Sequence, residues 1–132
     1  MNGKLSTTTK TTTGEIMARD LRELRDALRQ FAVERDWDRF HSPKNLAMAL
    51  SVEAAELLEH FQWMTEADSR IIGDDKKTEL AHEMSDVLLY LVQLADKLGI
   101  DLLASATEKM KLNAVKYPAA LQRGAGRPTV EL

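Results

Sequence analysis

The nine residues Val87-Leu88-Leu89-Tyr90-Leu91-Val92-Gln93-Leu94-Ala95 constrain this chain more than any other segment, because at helical spacing they turn an apolar side in nearly every direction. A helix on the surface of a small monomer keeps one polar face, so this one is expected to be buried all round. It is far too short to cross a bilayer. A chain of 132 residues suits a single compact domain. Full cover for a central helix in so short a chain is therefore expected to come partly from another subunit, which makes the protein a homo-oligomer. With 18 Lys and Arg against 21 Asp and Glu, a net charge of −3 gives no general attraction to nucleic acid polymer or anionic lipid. Affinity for phosphate must then come from local residues or a bound cation. The absence of cysteine excludes disulfides, thiolate metal sites and a Cys nucleophile, and fits a reducing compartment, so the cytoplasm is expected. Met1-Asn2-Gly3-Lys4 leads into Thr and Lys rather than an apolar signal segment, so neither export nor membrane insertion is expected.

The pattern on either side is helical as well. Residues 1–15 are dominated by a Thr-rich, low-complexity run and read as a disordered tail. From Ile16, apolar residues recur at three- and four-residue steps through Leu21, Leu24, Leu28 and Phe31 to about Glu34, which predicts a first helix. Ser42-Pro43 supplies a cap and a first-turn proline for a second, running through Leu46, Leu50, Leu57 and Phe61 to about Met64. Gly73-Asp74-Asp75 caps a third, stopped by Gly99, with the aspartates read as caps. Asp101 caps a fourth, closed by Pro118. Strand-like alternation is absent. The expected fold is all-α, a four-helix bundle over residues 16–121 assembled as an oligomer, with residues 122–132 a flexible tail.

The carboxylates point to chemistry. On the second helix Glu53, Glu56 and His60 lie about 60–120° to one side of the direction set by Leu46, Leu50, Leu57 and Phe61. Met48, Val52, Ala55 and Trp63 occupy much of the other side, so this is no plain solvated face. The third helix repeats the arrangement with Glu79, Glu83, Asp86 and Tyr90 beside Leu80, Val87, Leu91 and Leu98. If the helices pack antiparallel with these stripes facing, four or five carboxylates converge, and like charges are not held together in a low dielectric without a cation. An oxygen-only donor set suits Mg²⁺ together with substrate phosphate. The plainer alternative is that these are ordinary solvated surface charges. Glu79-Leu80-Ala81-His82 matches the Glu-x-x-His of di-iron bundles, but those need two copies, and His82 reads as an ordinary surface or interface histidine. His60, one turn after Glu56, reads as part of a hydrogen-bond network rather than as a ligand. No Gly-rich phosphate loop or nucleophile elbow is present.

Glu53-x-x-Glu56 followed by Glu83-x-x-Asp86 resembles the metal motif of the all-α nucleoside triphosphate pyrophosphohydrolases, the superfamily of MazG and the dimeric dUTPases. The closer resemblance is to the dCTP pyrophosphatase branch, over about residues 20–121. It is carried by Phe31-Ala32-Val33-Glu34-Arg35-Asp36-Trp37, Phe40-His41-Ser42-Pro43-Lys44-Asn45-Leu46, Phe61-Gln62-Trp63, Glu83-Met84-Ser85-Asp86-Val87-Leu88-Leu89-Tyr90-Leu91, and the segment from Lys109 to Pro118. The resemblance implies hydrolysis of a deoxynucleoside triphosphate, dCTP or a modified dCTP, to monophosphate and pyrophosphate, in a tetramer built as a dimer of dimers. It implies that Glu53, Glu56, Glu83 and Asp86 hold Mg²⁺, with Glu53 or Glu56 the catalytic base. It also implies that Lys109, Asn113, Lys116 and Tyr117 reach the phosphates, and that Trp37, His41 and Trp63 line the base pocket. His41 and Trp63 flank the second helix and stand roughly 30 Å apart along it, so the pocket is expected to close between subunits. Two alternatives keep the helical scaffold: the same reaction on other or many nucleotides, and a non-catalytic oligomer that binds nucleotide or partner helices. A di-iron carboxylate protein is a third.

Overall fold

A computed structural model describes residues 17–123 as helices and turns, with no strand among them. The helices are α1 (Leu21–Glu34), α2 (Pro43–Glu59), α3 (Glu66–Ser69), α4 (Asp74–Leu98), α5 (Leu102–Lys116) and α6 (Ala119–Gln122), with a 3₁₀ turn at Asp38–Phe40 between the first two. The tails expected over 1–15 and 122–132 lie outside the described residues, except that Gln122 closes α6 and Arg123 caps it.

Local chemistry sets most of the boundaries. The Asp20 carboxylate accepts the Glu23 N–H at 2.8 Å, and Glu23 in turn accepts the Arg19 N–H at 2.8 Å, so α1 begins at Leu21. This corrects the expected start at Ile16, which lies outside the described residues; Met17 to Arg19 are not helical. Ser42 accepts the Asn45 N–H ahead of Pro43, as the sequence implies. The C-terminus of α2 departs from expectation: regular helix stops at Glu59 rather than Met64. There the His60 N–H turns back to Leu57 and Leu58 O, the Phe61 and Gln62 N–H groups both reach Leu58 O, and Thr65 caps the short α3 through the Asp68 N–H. Gly73 is itself the N-cap of α4 and makes no side-chain capping bond. Asp74 and Asp75 therefore sit in the first turn, where their charge complements the helix dipole, and are not caps as expected. Gly99 ends α4 at φ 67°, a left-handed conformation that glycine adopts without a Cβ penalty. Asp101 caps α5 by accepting the Ala104 N–H at 3.0 Å.

α2 and α4 pack antiparallel along their length: His60 at the end of α2 meets Glu79 near the start of α4, and Glu53, farther back, lies near Glu83 and Asp86. α1 lies on the C-terminal half of α4, tied by Arg29 to Asp96, and Lys97 holds Asp38 of the 3₁₀ turn. The buried core among the described residues is only Ala32, Leu46, Leu80, Val92 and Ala95. In a single chain α4 is not covered all round, since Leu88 and Leu91 remain 40% and 37% exposed. Nor does one chain close a four-helix bundle. Every residue of α5 from Leu103 to Lys116 is exposed, although Leu103 and Met110 lie on one side of it and Leu112 on the opposite side. A single chain thus packs α1, α2 and α4 together with α5 exposed beside them, and the four-helix bundle expected of the assembled oligomer is not closed within it. A three-residue connection through Gly99, Ile100 and Asp101 is long enough to join antiparallel neighbours, but α5 leaves it with its sides exposed.

Candidate metal centre

Three of the four expected ligands meet between α2 and α4. Glu53, Glu56 and Glu83 each offer a carboxylate oxygen, and these atoms all lie within 4.8 Å of one another. The spacing explains the meeting. Glu53 and Glu56 are one turn apart on the side of α2 that faces α4, and Glu83 points back from the antiparallel helix. Asp86 lies one turn beyond Glu83, outside that set of three but near enough for its charge to act on Glu53.

The electrostatics of the cluster are unfavourable by themselves. Glu53 is held up at about 7, first by burial, then by hydrogen bonding to Glu56 and by the charges of Glu56, Asp86 and Glu83. The Oε2 atoms of Glu53 and Glu83 are buried and have no hydrogen-bond partner. Buried carboxylate oxygens without donors are costly, and a divalent cation is what satisfies several at once. The donor set contains only oxygens and the residues fit a hard cation, so this acidic triad could hold a metal ion.

His60 borders the cluster. Its Nε2 lies 3.5 Å from Glu83 Oε1 and its Nδ1 lies 3.9 Å from Glu79 Oε2, while Lys76 Nζ donates to the same Glu79 oxygen at 3.1 Å. The sequence placed His60 and Glu79 on facing stripes, but nothing in it signalled the link through to Lys76. His82 is exposed on α4.

The remaining expected site residues are dispersed in one chain. Trp37 packs edge-on against Phe31, with ring centroids 5.8 Å apart. His41 lines a cavity of about 300 Å³ with Arg25, Arg29, Asp38, Gln93 and Lys97. Trp63 lies beyond the other end of α2 and is 89% exposed. A larger cavity of about 570 Å³ lies between the start of α1 and the α4–α5 turn, and neither cavity touches the glutamates. Lys109, Asn113 and Lys116 are exposed on α5, and Tyr117 caps that helix through its N–H to Asn113 O. None of these four is among the residues of the acidic centre.

Fold and centre together define an all-α protein that opposes carboxylates across an antiparallel helix pair. The family model described as the MazG-like family matches residues 48–127, and the chain belongs to that family. Human dCTP pyrophosphatase 1 is 42% identical over 114 residues, 85% of this chain and 67% of the relative. Its mouse counterpart is 42% identical over 107 residues, 80% of this chain and 63% of the relative. The chain thus spans about two thirds of the length of these mammalian relatives and lies near the dCTP pyrophosphatase branch. The crystal structure of a pyrophosphatase from Archaeoglobus fulgidus is similar at a TM-score of 0.69 and 40% identity, covering 79% of this chain and 99% of that one. Among the described residues no helix is long and apolar enough to cross a membrane.

Proposed function

We propose that this protein is a Mg²⁺-dependent nucleoside triphosphate pyrophosphatase of the dCTP diphosphatase type. It hydrolyses dCTP or a modified dCTP to the monophosphate and pyrophosphate and so clears such nucleotides from the pool. The observation that carries this reading is the meeting of Glu53, Glu56 and Glu83 around buried, unpartnered oxygens, in a chain with dCTP pyrophosphatase relatives. Glu53, Glu56 and Glu83 would hold the cation, with Asp86 as the fourth ligand from α4. When bound, Mg²⁺ supplies neutralisation of triphosphate charge and orientation of the attacking water. Glu53 or Glu56 accepts the proton of that water, and Lys109, Asn113, Lys116 and Tyr117 donate to phosphate oxygens.

The active form is a homo-oligomer, a tetramer, in the cytoplasm. Support comes from the exposed apolar sides of α5 and of the Val87 to Ala95 segment, which one chain leaves open. Trp37, His41 and Trp63 then enclose the base between subunits, since α2, about 25 Å long, separates the last two within one chain. A panel of canonical and 5-modified dNTPs with Mg²⁺, read as released pyrophosphate, tests activity and specificity together. Preferential turnover of the cytosine nucleotides is expected. Turnover spread evenly over all bases would leave the reaction and remove the specificity, and no turnover at all would overturn the reading.

A further inference from the structure

The acidic centre has a neighbour that the hydrolytic reading does not use. His60 is the C-cap of α2, where its backbone N–H turns back to Leu57 and Leu58 O, so its imidazole projects from a fixed point on one helix. It crosses to α4 and lies between two carboxylates one turn apart there, with Nε2 3.5 Å from Glu83 Oε1 and Nδ1 3.9 Å from Glu79 Oε2. Glu79 is outside the acidic triad and is held from its far side by Lys76, whose Nζ is 3.1 Å from the same oxygen. Lys76, Glu79, His60 and Glu83 thus form a series of ammonium, carboxylate, imidazole and carboxylate, with Glu79 the most exposed of the four.

We propose that His60 is a positioning residue for the cation site: it engages Glu83 through Oε1 alone and leaves the buried Oε2 of Glu83 directed at the cation. The proposal rests on reading Glu53, Glu56 and Glu83 as cation ligands. A glutamate has three side-chain torsions, and a carboxylate without an outer partner can swing or present either oxygen. Glu83 has one oxygen facing an imidazole and the other buried with no partner, so its two oxygens are already distinguished before any cation arrives. Groups behind ligands in metal sites act in this way, setting ligand orientation and thereby affinity. Glu79, which accepts from Lys76, faces the other ring nitrogen, so the imidazole has a carboxylate on each side.

Mn²⁺ titration of the full chain without nucleotide, followed by the electron paramagnetic resonance of free Mn²⁺, tests this apart from turnover. His60→Ala is expected to weaken Mn²⁺ binding about tenfold or more, the range typical for loss of such a partner. His60→Gln, whose amide can reach Glu83 Oε1, is expected to stay near wild type. Lys76→Met and Glu79→Gln, at the exposed end, are expected to weaken binding by smaller factors, and they keep the question answerable if His60→Ala does not fold. Binding by folded His60→Ala that equals or exceeds wild type overturns the proposal. An imidazole that merely repelled the cation would tighten binding when removed. Equal damage in His60→Gln and His60→Ala also overturns it, as do unchanged affinities in both exposed-end variants if His60→Ala does not fold. A wild-type chain that binds no Mn²⁺ overturns it together with the cation reading, whereas a binding wild type with an unaffected His60→Ala overturns it alone.

Discussion

Glu53 concentrates the cost of the acidic centre. Burial and three neighbouring carboxylates hold it at about 7 against an ordinary value of 4.5. In the metal-free folded protein it keeps its proton over a range in which the unfolded chain has lost it. Between pH 4.5 and about 7 the folded state therefore binds more protons, and stability falls as pH rises, levelling off above 7. Melting curves in a chelator should show this decline in the wild type and lack it in Glu53→Gln, which has no proton to lose. Parallel pH profiles for the two would remove Glu53 from the cluster. Excess Mg²⁺ at neutral pH should raise the wild-type melting temperature, because the cation binds the folded state alone. For catalysis, Glu56→Gln and Asp86→Asn should each lower turnover by orders of magnitude with helicity intact, the amides keeping shape while removing charge. Near-normal turnover in both would contradict the ligand assignment. The pairing of Glu53 and Glu56 with Glu83 was legible in the sequence because a one-turn spacing on two amphipathic helices leaves few ways to pack them. The link from His60 through Glu79 to Lys76 was not, because it depends on the side-chain reach of three residues across a helix crossing.

At the scale of elements, local signals and tertiary ones separate cleanly. Ser42-Pro43, Gly99 and Asp101 act within four residues of themselves, and the sequence located all three. The end of α2 depends instead on how His60 to Met64 wind into α3, and periodicity ran through it unbroken because Phe61 and Met64 stay half-buried after the helix has ended. The α2–α4 pair is the element that holds the site, and Leu46, 1% exposed, is its best-buried side chain. Leu46→Ala should cost about 3 kcal/mol, the middle of the range for a large-to-small change in a filled core. Denaturant unfolding measures it. Leu112→Ala, on the open face of α5, is the useful contrast: a comparable cost there in dilute protein would mean that a second copy covers it, because within one chain that side chain is exposed.

The whole molecule, taken as a single chain, is incomplete in two respects: α5 exposes apolar side chains on opposite sides, and the aromatic residues expected around the base lie at opposite ends of α2. The proposed association of copies would answer both. Sedimentation equilibrium should show no stable monomer near 14.8 kDa at micromolar concentration, and Met110→Asp should shift the chain toward monomer. If subunits share the base pocket, His41→Ala and Trp63→Ala should each raise KM for dCTP and narrow its preference over dTTP more than they lower kcat, since the proposed hydrolytic centre is at the glutamates. The two variants should then complement each other. In an oligomer co-assembled from equal amounts of both, about one quarter of the sites would combine an intact His41 from one chain with an intact Trp63 from its neighbour. Kinetics of the co-expressed mixture should resolve a fraction with wild-type KM that is missing when the variants are purified separately and combined without exchange. If both residues came from one chain, every site in the mixture would still lack one of them. A co-expressed mixture with no high-affinity fraction would place the pocket within a single subunit.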